Sequence, residues 1–229
     1  MLFRSYGQAL HKLSQTLDYD TVNDTVFAAI LLLDTYETVY LNIRGAHNGG
    51  LTKIVRLRGS HQMFKEQSFH LWRIAHHRIQ AYRLLNVETP LEESDGWMKM
   101  LDKSSIDIRV ADEGNKVISL NARARDTIDK SGDPDGLIDE MKALYAKMKT
   151  TMEGTGWLER VMQPTFQLTD IARLPLTTSR KTIRVHHDLW AARTWNYHRV
   201  CRSMLLFMLI KLQNLKSIEN DDAVSEIRN

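Results

Sequence analysis

Hydrophobic residues return at spacings of three and four almost from end to end, which is the signature of helices with one buried stripe. Leu2, Tyr6, Ala9, Leu10, Leu13 and Leu17 place such a stripe on a first helix, ended by the polar Asp18-Tyr19-Asp20 stretch. Asn23 or Asp24 can cap a second, which runs through Val26, Phe27, Ile30, Leu31 and Leu33. Its middle, Ala28 to Leu33, is apolar all round and predicts a central, buried helix. A third runs over roughly 47–57 and stops at Gly59, a residue suited to the left-handed position that closes a helix. A fourth, over roughly 66–85, sets Phe69, Trp72, Ala75, Ile79 and Tyr82 on one face. Arg73, His76, His77, Gln80 and Arg83 fall on the opposite face, which reads as a solvated basic surface.

Further along, Pro90 and the acidic Glu92-Glu93-Ser94-Asp95 mark a loop. Ile106, Ile108 and Val110 alternate as a short strand would, whereas Val117 to Ile128 returns to helical spacing. The next helix has clear local grammar: Asp133 as N-cap, Pro134 at the first helical position, then Ile138, Met141, Tyr145, Met148 and Met152 at 3,4,3,4 spacing, with Gly154 ending it. The three methionines read as core filler. Pro164, Pro175 and Thr177-Thr178-Ser179-Arg180-Lys181 make 164–182 the most loop-like region. A last helix covers roughly 187–212, apolar on all sides in its second half. The expected architecture is an all-α, single multi-helix domain of about seven or eight packed helices over 1–216, followed by a frayed polar tail at 217–229.

Composition narrows the chemistry. A chain of 229 residues, 43% hydrophobic, can bury one substantial core or two small ones. The net charge of +3, with basic residues spread along the chain, does not by itself point to nucleic acid. The single cysteine, Cys201, lies in an apolar helical stretch and reads as a buried small hydrophobe. One thiol excludes an intrachain disulfide and any zinc site built from several cysteines of this chain. The N-terminal stretch lacks an apolar signal core, and the most apolar run, Met204 to Ile210, is far below the ~20 residues that span a bilayer. The expectation is a soluble intracellular protein without membrane contact.

Two stretches go beyond generic helix. His47-Asn48-Gly49-Gly50-Leu51 followed by Ile54-Val55-Arg56-Leu57-Arg58-Gly59 resembles the H-x-x-G-x-x-x-[LI]-[LV]-x-[LI]-R-G signature of the fungal-specific transcription factor domain, the regulatory region of zinc-cluster transcription factors. In that family an apolar helix ending in Tyr-Glu precedes the signature, as Leu31-Leu32-Leu33-Asp34-Thr35-Tyr36-Glu37 does here, and a helix similar to Phe69 through Arg83 follows it. Near the C-terminus, Asp188, Ala192, Trp195, Asn196 and Arg199 are similar to the family's D-x-x-x-A-x-x-W-N-x-x-R segment. The resemblance covers about residues 5 to 212. On spacing alone, Gly50 would let another helix approach closely, Arg58 could serve carbonyls or a carboxylate at the helix end, and Asp188, Ala192, Trp195 and Arg199 share one helix face.

The resemblance implies a nuclear, non-catalytic module in transcription regulation, with no cofactor and no metal. It would act by binding other proteins, a full-length zinc-cluster factor among the candidates, with room for a small-molecule effector between helices. The family's six-cysteine zinc cluster and basic linker are missing and the N-terminal part is shortened, so no direct sequence-specific DNA binding is expected. The chain is then either part of a truncated or split gene product, or a relative without the DNA-reading half. The alternative is a metal-dependent phosphohydrolase centred on the His187-Asp188 dipeptide. That mechanism needs an upstream histidine, for which His76 or His77 could be offered, and a downstream aspartate, Asp221 or Asp222. His76 and His77 cannot share one metal, because neighbouring helical side chains diverge by about 100°. Asn220 to Glu226 superficially resembles a terpene-synthase metal triad, but its serine falls one position late. No phosphate-binding glycine loop, nucleophile elbow or H-E-x-x-H motif is present.

Overall fold

A computed structural model of the chain describes residues 7–8, 11–12, 22–38, 48–130, 132–152 and 189–227, with Leu189 and 218–227 described by their backbone alone. Among these residues the fold is all-helical: α1 (Asp24–Tyr36), α2 (Asn48–Arg58), α3 (Glu66–Asn86), α4 (Ser94–Met100), α5 (Ile106–Asp129), α6 (Asp135–Thr151) and α7 (Leu189–Ile227). A single 3-10 turn, Ser60–Phe64, joins α2 to α3. The contacts sort the chain into two compact units, 1–86 and 87–229. The first helix expected from Leu2 to Leu17 and the loop expected over 164–182 lie outside the described residues, apart from four helical positions at 7–8 and 11–12.

In the first unit, α1 begins where a local hydrogen bond can start it. Asn23, in an extended conformation, accepts the Val26 N–H at 3.0 Å. The helix then buries Val26, Phe27, Ile30, Leu31 and Asp34. Leu32 is 70% exposed, so α1 is one-sided and not apolar-buried all round as its sequence suggests. Its partners α2 and α3 cover only one side. Helix α2 ends at Gly59, whose φ of 60° favours glycine. The Gln62 amide then donates to the Val55 and Gly59 carbonyls, at 2.9 and 2.7 Å, and satisfies the end of α2.

Helix α3 departs from its expected two faces. Trp72, Ala75 and Ile79 are buried, but so are His76 and Gln80, each 2% exposed. The surface read as a solvated basic face is therefore partly core. The reason is packing: α1, α2 and the 3-10 turn all bear on α3. His76 stacks on Trp72 with ring centroids 4.8 Å apart, and burial pushes its pKa down to about 3, so the ring is neutral at physiological pH.

In the second unit, α5 settles the ambiguous segment. Ile106, Ile108 and Val110 lie in a continuous helix, not a strand. They alternate because α4, α6 and α7 all pack on α5 and widen its buried arc until positions two apart are both covered. Ser94 and Asp95, read as loop, open α4, which buries Trp97 and Met98. Helix α6 begins one residue later than expected, with Pro134 at its cap and Asp133 accepting the Asp135 N–H at 3.0 Å just ahead of it; it buries Ile138, Met141 and Met148, with Met152 just beyond its end also in the core. Helix α7 extends to Ile227, through the residues expected to form a frayed tail. It runs parallel to α5, since Trp190 meets Asp107 and Tyr197 meets Gly114, and antiparallel to α6, since His198 meets Met148 and Lys216 meets Asp135. No helix among the described residues is long and apolar enough to cross a membrane.

Candidate functional site

The signature residues of the first unit form a helix-end knot. Arg58, the last residue of α2, donates to the Val22 carbonyl at 3.1 Å and to the Asp24 carboxylate at the start of α1. Its guanidinium also lies 4.9 Å from the centroid of the buried Phe27 ring. Ser68 on α3 donates to both Asp24 oxygens at 2.9 Å. One carboxylate thus ties the start of α1 to the end of α2 and the first turn of α3. Burial raises the pKa of Asp24, but the Arg58 and Ser68 hydrogen bonds outweigh it and hold the carboxyl below its ordinary value.

Two consequences follow for stability. Arg58→Ala is expected to cost about 2 kcal/mol, from a charge-assisted hydrogen bond partly screened by solvent, the lost carbonyl contact and the lost cation–π contact. Because the folded pKa of Asp24 is depressed, its contribution is present above the unfolded value of about 3.9 and disappears as pH falls through the folded value. Urea midpoints of wild type and Arg58→Ala, measured from pH 7 downward, should therefore draw closer on the acid side, leaving only the share of the carbonyl and ring contacts. A gap as wide at the acid end as at pH 7 would show that the pair with Asp24 contributes nothing.

Not every signature residue behaves as its spacing suggests. Gly50 is exposed, and a Cβ there would meet nothing within 4 Å, so it does not mediate a close helix approach. His47, His187 and Asp188 lie outside the described residues. Of the α7 segment, Trp195 is buried, Ala192 half-buried, and Asn196 and Arg199 exposed. The face that Ala192, Trp195 and Arg199 share lies on the boundary between core and solvent and does not form a helix interface along its length. Among the described residues no group of three His, Cys, Asp or Glu could hold a metal.

Sequence spacing gave no hint of the polar seam at the centre of the second unit. Glu113 on α5 accepts the Thr151 hydroxyl of α6 at 2.6 Å. Its pKa is raised by burial, an effect the Thr151 hydrogen bond and the charges of Lys147 and Lys116 only partly offset. On α7, His198 donates Nε2–H to the Met148 carbonyl at 3.0 Å and is shifted down by burial, so it is neutral. Tyr197 lies beside Cys201, and burial raises both; the Cys201 thiol, 1% exposed, is pushed up to about 12. At neutral pH this cysteine is a buried thiol and not a nucleophilic thiolate. The seam's chemistry is that of helix registration: Glu113 and His198 are each tied to α6, through Thr151 and Met148, and Tyr197 and Cys201 lie together within α7.

The outward side of α7 is different in kind. Cys201, Leu205, Met208 and Leu212 turn inward, while Val200, Leu206, Phe207 and Ile210 are between 40% and 52% exposed. At 100° per residue these four fall within an arc of about 120°, opposite the buried stripe. A helix read as apolar on all sides therefore has a solvent-facing apolar stripe. From Trp190 to Ser217 it carries Arg193, Arg199, Arg202, Lys211 and Lys216 and no carboxylate. Lys216 pairs with Asp135, Arg202 lies over Tyr145 and Arg193 over Trp190. Arg199 and Lys211 flank the stripe, with the Lys211 ammonium 4.6 Å from the Phe207 ring centroid. The sequence signal for this surface was present as a run of cations without acids on an apolar helix.

Comparison with family models, with curated proteins and with solved structures finds no match to this chain.

Proposed function

We propose that this chain is a non-catalytic regulatory module of fungal transcription-factor type, acting in the nucleus by binding other proteins, with no DNA-binding cluster of its own. The observation that carries this reading is the exposed apolar stripe on α7 set among cations. Contiguous exposed apolar side chains on a packed helix cost solubility unless a partner covers them. The family resemblance adds the transcriptional setting and rests on the motif residues. Arg58 and Gly59, two of those residues, serve the packing and closure of α2, a use that fits a scaffold for recognition. A full-length zinc-cluster factor is the partner the resemblance suggests, and a small-molecule effector between helices is compatible with it.

The test is a tethering experiment. Fused to an unrelated DNA-binding domain, the chain should change reporter expression severalfold. A folded fusion that leaves the reporter at the level of the DNA-binding domain alone sinks the regulatory reading. Elemental analysis decides the hydrolase alternative: stoichiometric metal in the purified chain, lost on His187→Ala, would replace this proposal with a metal-dependent enzyme.

A further inference from the structure

We infer that the outward face of α7 is a docking site for an acidic amphipathic helix of a partner protein; this rests on the protein-binding reading above and specifies the partner's chemistry. Val200, Leu206, Phe207 and Ile210 extend along about 15 Å of helix at 1.5 Å per residue. That is longer than the ~10.5 Å over which a partner helix presents anchors at i, i+3, i+4 and i+7, so the stripe can seat all four. Ser203, exposed in the middle of the stripe, leaves a shallow step between Val200 and Phe207 into which a partner side chain can set.

Charge selects the sign of the partner. Arg199 stands at the N-terminal end of the stripe on its Leu206 side, and Lys211 at the C-terminal end on its Phe207 side. A helix laid along the stripe with carboxylates at its two flanks meets one cation on each side, and a basic helix meets two like charges. The same geometry disfavours a second copy of this chain. A second copy would bring the same two cations, Arg199 and Lys211, with no carboxylate between Trp190 and Ser217 to answer them. An anionic membrane is the weaker occupant as well, since polybasic attachment uses clusters of about four to eight Lys or Arg and only two flank this stripe.

The probe is a synthetic peptide of about 18 residues, long enough for five helical turns, with Leu and Phe at i, i+3, i+4, i+7 spacing and Glu on both flanks. Fluorescence anisotropy should show saturable binding to the full chain, and a Lys-for-Glu version of the peptide should bind at least about tenfold more weakly. Phe207→Ser with Ile210→Ser, at exposed positions and with unchanged far-ultraviolet dichroism, should weaken the acidic peptide by about tenfold or more. Lys211→Glu should weaken it severalfold and flatten its salt dependence. Equal binding of both peptides, no binding of either, or binding to phosphatidylserine vesicles but not to the acidic peptide overturns the proposal. So does a concentration-dependent dimer in sedimentation that the double serine variant abolishes. If the tethered chain still alters the reporter with the double serine change in place, the regulatory reading stands and this surface is not its means. If the tethered chain is silent and the acidic peptide still binds, the surface stands and the transcriptional role fails.

Discussion

Gly114→Val is expected to destabilise the second unit by about 3 kcal/mol, making it one of the most damaging single changes in the chain. Gly114 lies on the buried side of α5, directly beneath Tyr197 of α7. A Cβ at this position would stand 2.6 Å from the tyrosine oxygen, 2.8 Å from Cε1 and 3.0 Å from Cζ. These are distances that real Cβ atoms essentially do not occupy, and Tyr197 is 4% exposed, so the ring has no open space to rotate into. Even Gly114→Ala should lose about 1 kcal/mol, because an overpacking cost of about 2, mid-range for such contacts, exceeds the gain of about 1 from helix propensity. The same alanine in a Tyr197→Leu background should be close to neutral or stabilising, since the ring that it strikes is gone. The measurement is a double-mutant cycle by urea unfolding, with an expected coupling of about 1–2 kcal/mol. A Gly114→Ala protein as stable as wild type would mean that α5 and α7 do not approach this closely.

The second large effect is expected in the first unit, at Arg78. This α3 guanidinium donates to the Asp34 carboxylate and the Thr35 hydroxyl of α1, and the paired side chains are only 22% and 11% exposed. Arg78→Met keeps the aliphatic length and removes the charge, leaving Asp34 enclosed without its countercharge. The expected cost is about 3 kcal/mol, because a mostly buried carboxylate keeps its desolvation penalty after its partner is lost. Asp34→Asn added to Arg78→Met should recover more than half of that loss, since no uncompensated charge then remains. Thermal unfolding of the four proteins distinguishes a true pair from two independent contacts. Strict additivity of the two single changes is the result that would sink the pairing.

These two sites also show what sequence reading could and could not reach. Arg78 and Asp34 stand 44 positions apart and carry no motif, and Gly114 looks like an isolated glycine that weakens its helix. Nothing local joins either residue to its partner. The same holds for the polar seam, where Glu113 meets Thr151 and His198 meets Met148. Arg58 was closer to legible: its place at a helix end predicted the carbonyls of that end or a carboxylate, and it has the Asp24 carboxylate together with the Val22 carbonyl from the segment before α1.

Sequence alone determined the helical class, the start of α1 to within Asn23 or Asp24, the start of α6 to within a residue, the stop at Gly59 and the inward stripe of Ile138, Met141 and Met148. Those features depend on interactions within about one turn of helix: a side chain bonding a nearby N–H, a glycine accepting positive φ, a 3.6-residue period. How much of each helix is covered was decided by tertiary packing. Three neighbours bury His76 and Gln80 on α3 and make Ile106, Ile108 and Val110 look like a strand, while partners on one side alone leave Leu32 of α1 and Phe207 of α7 exposed. Periodicity specifies where a helix has an apolar direction. The width of the buried arc depends on how many other helices reach it, and that is a property of contacts made far away in the chain.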